Sequence, residues 1–272
     1  MRLVDWVHVL RRRVSGSLAG GKQAESFTTQ SFRSTKDASF TLPPDAPASV
    51  VASNEHGAYC VPQSSLHRPV ARTIVDARVW EPKTLDLVRR ANASGDIVHA
   101  GTFFGDFIPA LASSREPGAI VWAFEPNREN YRCARITIDL NGLQNVVLTH
   151  AGLSQRSETA LLATSDRRGV ALGGGSQLIP DPAGAEGLSY EQVNLVAIDD
   201  VVPGDRRVAA IQLDVEGHEQ AALAGAMRTI ERCRPLIVLE TLPAESWVAE
   251  QLAPLGYRVA ETIDANTVVR PS

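Results

Sequence analysis

The chain has 272 residues, 44% apolar and 21% charged, with 27 Lys and Arg against 31 Asp and Glu for a net charge of −4. That composition suits a globular protein with one sizeable core and an extension, and it excludes binding to nucleic acid through a basic field. Cys60, Cys133 and Cys233 are too widely spaced for a disulfide framework or a Cys-based zinc site.

Taken in order, Leu3, Val4, Trp6, Val7, Val9, Leu10 and Val14 predict one short amphipathic helix near the start. Arg11-Arg12-Arg13 closes it. One short helix and one basic cluster anchor weakly to a membrane, so the cluster reads as a solvated turn suited to a helix C-terminus. No apolar run approaches the ~20 residues that span a bilayer, and no secretory apolar core opens the chain. A cytoplasmic protein without stable membrane insertion is expected. Residues 15–38, rich in Ser, Thr, Gly and Lys, read as a linker or lid. Phe40-Thr41-Leu42, Ser49-Val50-Val51 and Ala58-Tyr59-Cys60-Val61 are short strand signals broken by prolines. Asn54-Glu55-His56-Gly57 makes a turn between two of them. The expectation is an extension over residues 1–75, helix, linker and β-hairpin cap, covering a ligand-binding domain at 76–272. Val79-Trp80-Glu81-Pro82 then opens a helix over 82–92.

From there strands and helices alternate. Strands are predicted at 96–100, 119–124, 145–150, 193–198, 208–214, 235–240, 256–262 and 266–270, and helices at 106–114, 127–141, 218–232 and 244–253. This α/β rhythm implies a mostly parallel sheet with helices on both faces. Residues 154–192, with Gly173-Gly174-Gly175, Pro180, Pro182 and Gly184, interrupt it as a long insertion of the kind that carries function.

Two stretches carry the chemistry. Asp96-Ile97-Val98-His99-Ala100 is a buried strand that runs into the turn Gly101-Thr102-Phe103-Phe104-Gly105 and a helix. Open α/β sheets hold ligands at such strand tips. The next strand ends in Glu125, an acid placed to accept hydrogen bonds from ribose hydroxyls. A pyrophosphate needs three glycines in the turn; the middle one is missing here, which disfavours a nicotinamide dinucleotide and suits S-adenosylmethionine. The bland alternative is a glycine that merely turns the chain. In Ile211-Gln212-Leu213-Asp214-Val215-Glu216-Gly217-His218-Glu219 a second strand delivers Asp214 to the same crevice, while Glu216 and Glu219 are explained by the dipole of the following helix. His218 is either a proton acceptor or a surface residue. Glu240 ends a further strand at the same edge. Asp199-Asp200 reads as a turn pair. His99 either tunes ligand binding or is a satisfied core residue. Asp214, Glu216 and His218 do not have a recognised metal spacing, and no metal is expected.

The series Val79-Trp80-Glu81-Pro82, Gly101-Thr102-Phe103-Phe104-Gly105, Ala123-Phe124-Glu125-Pro126-Asn127, Leu140-Asn141-Gly142-Leu143, Gly152-Leu153-Ser154 and Leu213-Asp214-Val215-Glu216-Gly217 resembles the FkbM-type S-adenosylmethionine-dependent methyltransferases. Arg234-Pro235, an apolar strand and Glu240 continue the likeness, which covers about residues 75–242. The resemblance implies a class I, Rossmann-like methyltransferase fold with a mostly parallel seven-stranded sheet. It implies O-methylation of a sugar or secondary-metabolite hydroxyl, with S-adenosyl-L-methionine as cofactor. Its expected cofactor-binding residues are Glu81, His99, Gly101, Thr102, Phe103, Gly105, Glu125, Pro126, Asn127 and Asp214. The catalytic candidates are Asp214 first, then His218 and Glu240. The expected partner is a small-molecule acceptor and not a nucleic acid; homo-oligomerisation is left open. The chain departs from the family at His99, where an Asp is usual, and at Thr102-Phe103, where Ala-Asn is usual. An alternative of a different class follows from that departure: a non-catalytic nucleotide-binding or scaffold protein whose altered turn no longer holds the cofactor productively. Retention of both Glu125 and Asp214 favours the enzyme.

Overall fold

The computed structural model describes residues 42–179 and 186–272, together with the backbone of residues 32–33 and 39–40. The expected N-terminal helix lies outside the described residues, as does most of the expected linker. The chain divides into two units, Met1–Pro44 and Asp45–Ser272. In the first, β1 (Phe32–Arg33) pairs antiparallel with β2 (Ser39–Phe40).

The second unit opens with the hairpin β3 (Ser49–Asn54) and β4 (Gly57–Pro62), turned where Asn54 Oδ1 accepts the His56 N–H at 2.9 Å. Then come α1 (Pro69–Val75), α2 (Pro82–Arg89), β5 (Asp96–Ala100), α3 (Ile108–Ser113), β6 (Val121–Phe124), α4 (Arg128–Leu140) and β7 (Val146–Thr149). β8 (Gly152–Leu153), β9 (Glu158–Ala163), β10 (Gln177–Ile179) and β11 (Tyr190–Val196) follow. The chain finishes with α5 (Ile198–Val201), β12 (Val208–Leu213), α6 (Glu219–Ala224), α7 (Met227–Cys233), β13 (Leu236–Leu239), α8 (Glu245–Trp247), β14 (Tyr257–Ile263) and β15 (Asn266–Pro271). Among the described residues, no helix is long and apolar enough to cross a membrane.

Seven strands form the main sheet in the order β14-β15-β13-β12-β5-β6-β7. β13, β12, β5, β6 and β7 are mutually parallel, and β15 is antiparallel to both of its neighbours. This is the mostly parallel α/β sheet expected. The two-residue period of the strands divides the core. Ile97, Val121, Ala210 and Val238 face Leu85 and Val88 of α2 and Leu111 of α3. Val98, Trp122, Ile211 and Ile237 face Ile198, Leu223, Ile230 and Leu252 on the other side. Helices therefore cover both faces of the central strands, while the edge strand β14 stays largely exposed.

The hairpin packs on α4. Tyr59, Cys60 and Val61 are fully buried; the Cys60 N–H donates to Thr137 Oγ1 at 3.0 Å, and Asn141 accepts from the Ala58 N–H and donates to the Ala58 carbonyl.

Two sequence expectations need correction. The strand expected over 193–198 is Tyr190–Val196, and it does not join the main sheet. It belongs to a second sheet of order β10-β9-β11-β8. Val193 and Leu195 are buried while Tyr190, Gln192 and Asn194 are exposed, the alternation of a strand with one wet face rather than one covered on both. The helix expected over 218–232 is broken between α6 and α7 at Gly225, where a side chain would overlap the Ser154 carbonyl.

Candidate active site

Four parallel strands end on one edge and deliver Gly101, Glu125, Asp214 and Glu240. Backbone hydrogen bonds extend past the strands and fix these tips: Gly101 N–H to the Phe124 carbonyl at 3.2 Å, Asp214 N–H to Ala100 at 3.1 Å, Glu240 N–H to Leu213 at 3.0 Å and Glu125 N–H to Thr149 at 3.1 Å. Gly101 has φ +78°, and a Cβ there would overlap the Asp214 carbonyl oxygen. Only glycine fits, so the first turn and the Asp214 backbone are packed directly together.

Glu125 is buried, 4% exposed. Its Oε2 accepts the Phe103 N–H at 2.7 Å, and its Oε1 accepts the Asn127 N–H at 2.9 Å and Asn130 Nδ2 at 3.4 Å. Burial pushes its carboxyl up to about 8, against these hydrogen bonds. Phe103 is held at φ +52°, in the left-handed region that a phenylalanine rarely adopts. Glu125 thus clamps the turn before it serves any ligand.

Two adjoining cavities share Gly101, Gly174, Asp214 and Glu216. One is largely apolar and is walled by Phe124, Pro126, Leu153, Leu162, Leu178 and Leu195, and Glu125 and His218 also line it. The other is acidic, with Glu81, Asp106, Asp214, Glu216 and Glu240 and one cation, Arg68; His99, Gln212 and Phe103 also line it. Residues 154–192 supply Leu162, Gly174, Gly175, Ser176 and Leu178 to these walls.

Burial raises the carboxyl of Asp214 well above the usual range, helped by the neighbouring Glu240. Burial likewise raises Asp106, to about 7, and Glu81 and Glu216 by smaller amounts. Glu81 sits at φ +40° ahead of Pro82 and accepts Asn266 Nδ2 at 2.6 Å. Asp214, Glu216 and Glu240 each place one oxygen within 4.8 Å of the others.

His99 is buried and stacks on Phe107, with ring centroids 5.7 Å apart. Its Nδ1 bonds to Gln212 Oε1, so Nδ1 carries the proton. Burial pushes the ring down to about 4 and keeps it neutral. Nε2 has no partner among the described residues.

The remaining expected residues separate by position. Thr102 lines neither cavity; it is buried, and its hydroxyl donates to the His99 carbonyl at 3.3 Å. Gly105 packs towards Thr137. Asn127 caps α4, its Oδ1 accepting the Asn130 N–H at 3.1 Å. These three shape the site from behind. His218 lies on the apolar cavity with Ser154 Oγ 3.5 Å from its Nε2, and burial lowers its pKa. Asp199 caps α7 through the N–H groups of Arg228 and Thr229. Glu219 accepts the Val215 N–H at 3.2 Å.

Sequence reading missed Arg68, Asp106 and Gln212. Asp106 adjoins the glycine turn and Gln212 is the polar residue of an otherwise apolar strand, so both left a signal. Arg68 left none, because its place depends on how a loop folds back over the strand ends.

The model of the methyltransferase FkbM domain matches residues 99–258, more than half of the chain. No curated protein matches. Among solved structures, the methyltransferase FkbM from Methylobacillus flagellatus KT is similar at 19% identity over 65% of this chain and 43% of that one, with a TM-score of 0.44. The chain thus spans less than half the length of that protein. A SAM-dependent methyltransferase from Aquifex aeolicus is similar at 14% identity over 76% of this chain and 93% of that one, with a TM-score of 0.41. A putative rRNA-methylase from Clostridium thermocellum is similar at 15% identity over 72% and 97%, also with a TM-score of 0.41.

Proposed function

The chain belongs to the FkbM methyltransferase family, and on that premise we propose that it moves a methyl group from S-adenosylmethionine to a hydroxyl of a sugar or secondary metabolite. The observation that carries the reading is Asp214: a carboxylate at a strand tip, shared by both cavities, whose burial and acidic neighbours raise its affinity for a proton.

The residues present fit the cofactor. Gly101 and Asp214 lie side by side on the border of both cavities. The acidic cavity suits a group with cationic parts, and His99 offers a buried acceptor without a partner. Glu125 and Pro126 would hold the nucleoside; Glu81, His99, Gly101, Phe103 and Asp214 would hold the amino-acid end. When bound, S-adenosylmethionine supplies an electrophilic methyl group on a sulfonium.

The protein's own part is alignment and proton removal. Fixing a nucleophile in line contributes several kcal/mol through orientation. A hydroxyl must lose its proton as it attacks, and Asp214 is the acceptor for it. Glu240 places a carboxylate oxygen within 4.8 Å of one of Asp214. His218 is the second candidate base.

The test is transfer of labelled methyl from S-adenosylmethionine to a panel of hydroxylated sugars and metabolites, with Asp214→Asn beside wild type. The expected products are base-stable ethers, and the variant should turn over roughly a hundredfold more slowly. Label on nitrogen or carbon would overturn O-methylation. Tight cofactor binding with no transfer to any acceptor would support the scaffold alternative.

A further inference from the structure

Among the described residues, Arg68 is the one cation that lines the acidic cavity, with five carboxyl side chains around it. It stands just ahead of α1, outside residues 99–258, and is half-buried. We propose that Arg68 binds the α-carboxylate of the cofactor's methionine end, so that the segment before α1 completes the cofactor site. The proposal rests on the cofactor reading above and adds the residue that recognises the anionic group.

Charge is the first argument. The sulfonium and ammonium of S-adenosylmethionine are attracted by Glu81, Asp106, Asp214, Glu216 and Glu240. Its carboxylate is repelled by those of the five that are ionised. An anionic group enters such a cavity only against a cation, and Arg68 is the cation present.

Geometry is the second. The guanidinium faces Glu216, but no carboxylate of the described residues comes within ion-pair distance of it. Without an ion-pair partner among the described residues, its planar fork can take a carboxylate through two parallel hydrogen bonds. The insertion leaves room for it as well. A methyl group on Gly175 would lie 2.5 Å from Arg68 Nη2, and one on Gly173 would lie 3.3 Å from Arg68 Cγ. Gly173 and Gly175 thus hold open the space that the side chain occupies.

The experiment pairs two ligands with three proteins by titration calorimetry on the full chain. S-adenosylmethionine carries the carboxylate; decarboxylated S-adenosylmethionine keeps the sulfonium and the ammonium and lacks it. For Arg68→Gln the affinity for S-adenosylmethionine should fall about 10- to 100-fold, the range for hydrogen bonds to a charged group. Affinity for the decarboxylated ligand should stay within about threefold. Gly175→Ala keeps the guanidinium but displaces it, and should give the same pattern in weaker form. Because only a flexible side-chain end is displaced, this variant should fold normally. Equal losses for both ligands, or unchanged affinity for S-adenosylmethionine, would overturn the role of Arg68 alone. A wild-type protein that binds neither ligand would overturn the cofactor reading, and this inference with it.

Discussion

Replacing Glu125 by Gln is the substitution with the most specific expected outcome. The two carboxylate oxygens accept N–H groups from separate segments, Phe103 at 2.7 Å and Asn127 at 2.9 Å. A carboxamide has one oxygen, so its NH₂ must face one of those donors. A buried donor without an acceptor costs about 1–3 kcal/mol. At roughly 2–4 °C per kcal/mol for a domain of this size, Tm should fall by about 2–12 °C. The hydrogen bond also holds Phe103 at φ +52°, so its loss frees the turn to relax. Losing one of two acceptor oxygens for the ribose should separately weaken S-adenosylhomocysteine by about 1–3 kcal/mol. Differential scanning fluorimetry reads the first effect and calorimetry on folded protein the second. Glu125→Ala is a poorer test, because it removes every acceptor at once. A variant with wild-type Tm would refute the clamp. Lowered Tm with unchanged affinity would leave Glu125 a structural residue and refute the ribose assignment.

Other expected outcomes concern protons and the N-terminal segment. Burial holds Asp106 up to about 7, Glu125 up to about 8, and Asp214 well above its usual range. A sulfonium and an ammonium favour the ionised forms, so S-adenosylmethionine binding near pH 7 should release protons and tighten from about pH 6 to 8. Calorimetry in two buffers of different ionisation enthalpy reads this, and proton uptake would contradict it. For the ligand-free protein the sign is opposite. Carboxyls whose folded pKa is raised contribute stability below their unfolded pKa and lose it as pH rises through the folded value. Its Tm should therefore decline between about pH 5 and 8. A chain beginning at residue 76 lacks the buried Tyr59, Cys60 and Val61 and Arg68. We expect it to unfold at lower urea and to bind cofactor poorly; normal binding and stability would show that residues 1–75 are dispensable.

What was legible in the sequence follows the length over which a signal is written. β5 falls on its expected residues 96–100 because five consecutive residues are buried and glycines bound the run. Gly101, Glu125, Asp214 and Glu240 were legible because a strand end announces its tip residue. The destination of 190–196 was not, because alternation shows one wet face and says nothing of which sheet it faces. The break at Gly225 was also hidden: the Ser154 backbone that demands it is 71 positions earlier in the chain. Thr102, Gly105 and Asn127 sit in family motifs, yet they line neither cavity. A motif records which residues build a site without saying which of them face its cavities.

A structure of the protein with S-adenosylhomocysteine bound tests the central claim most directly. The account predicts ribose hydroxyls on Glu125, the amino-acid end among Glu81, His99 and Arg68, and the sulfur directed towards Asp214. A nucleoside seated away from Glu125, or an amino-acid end outside the acidic cavity, would contradict it.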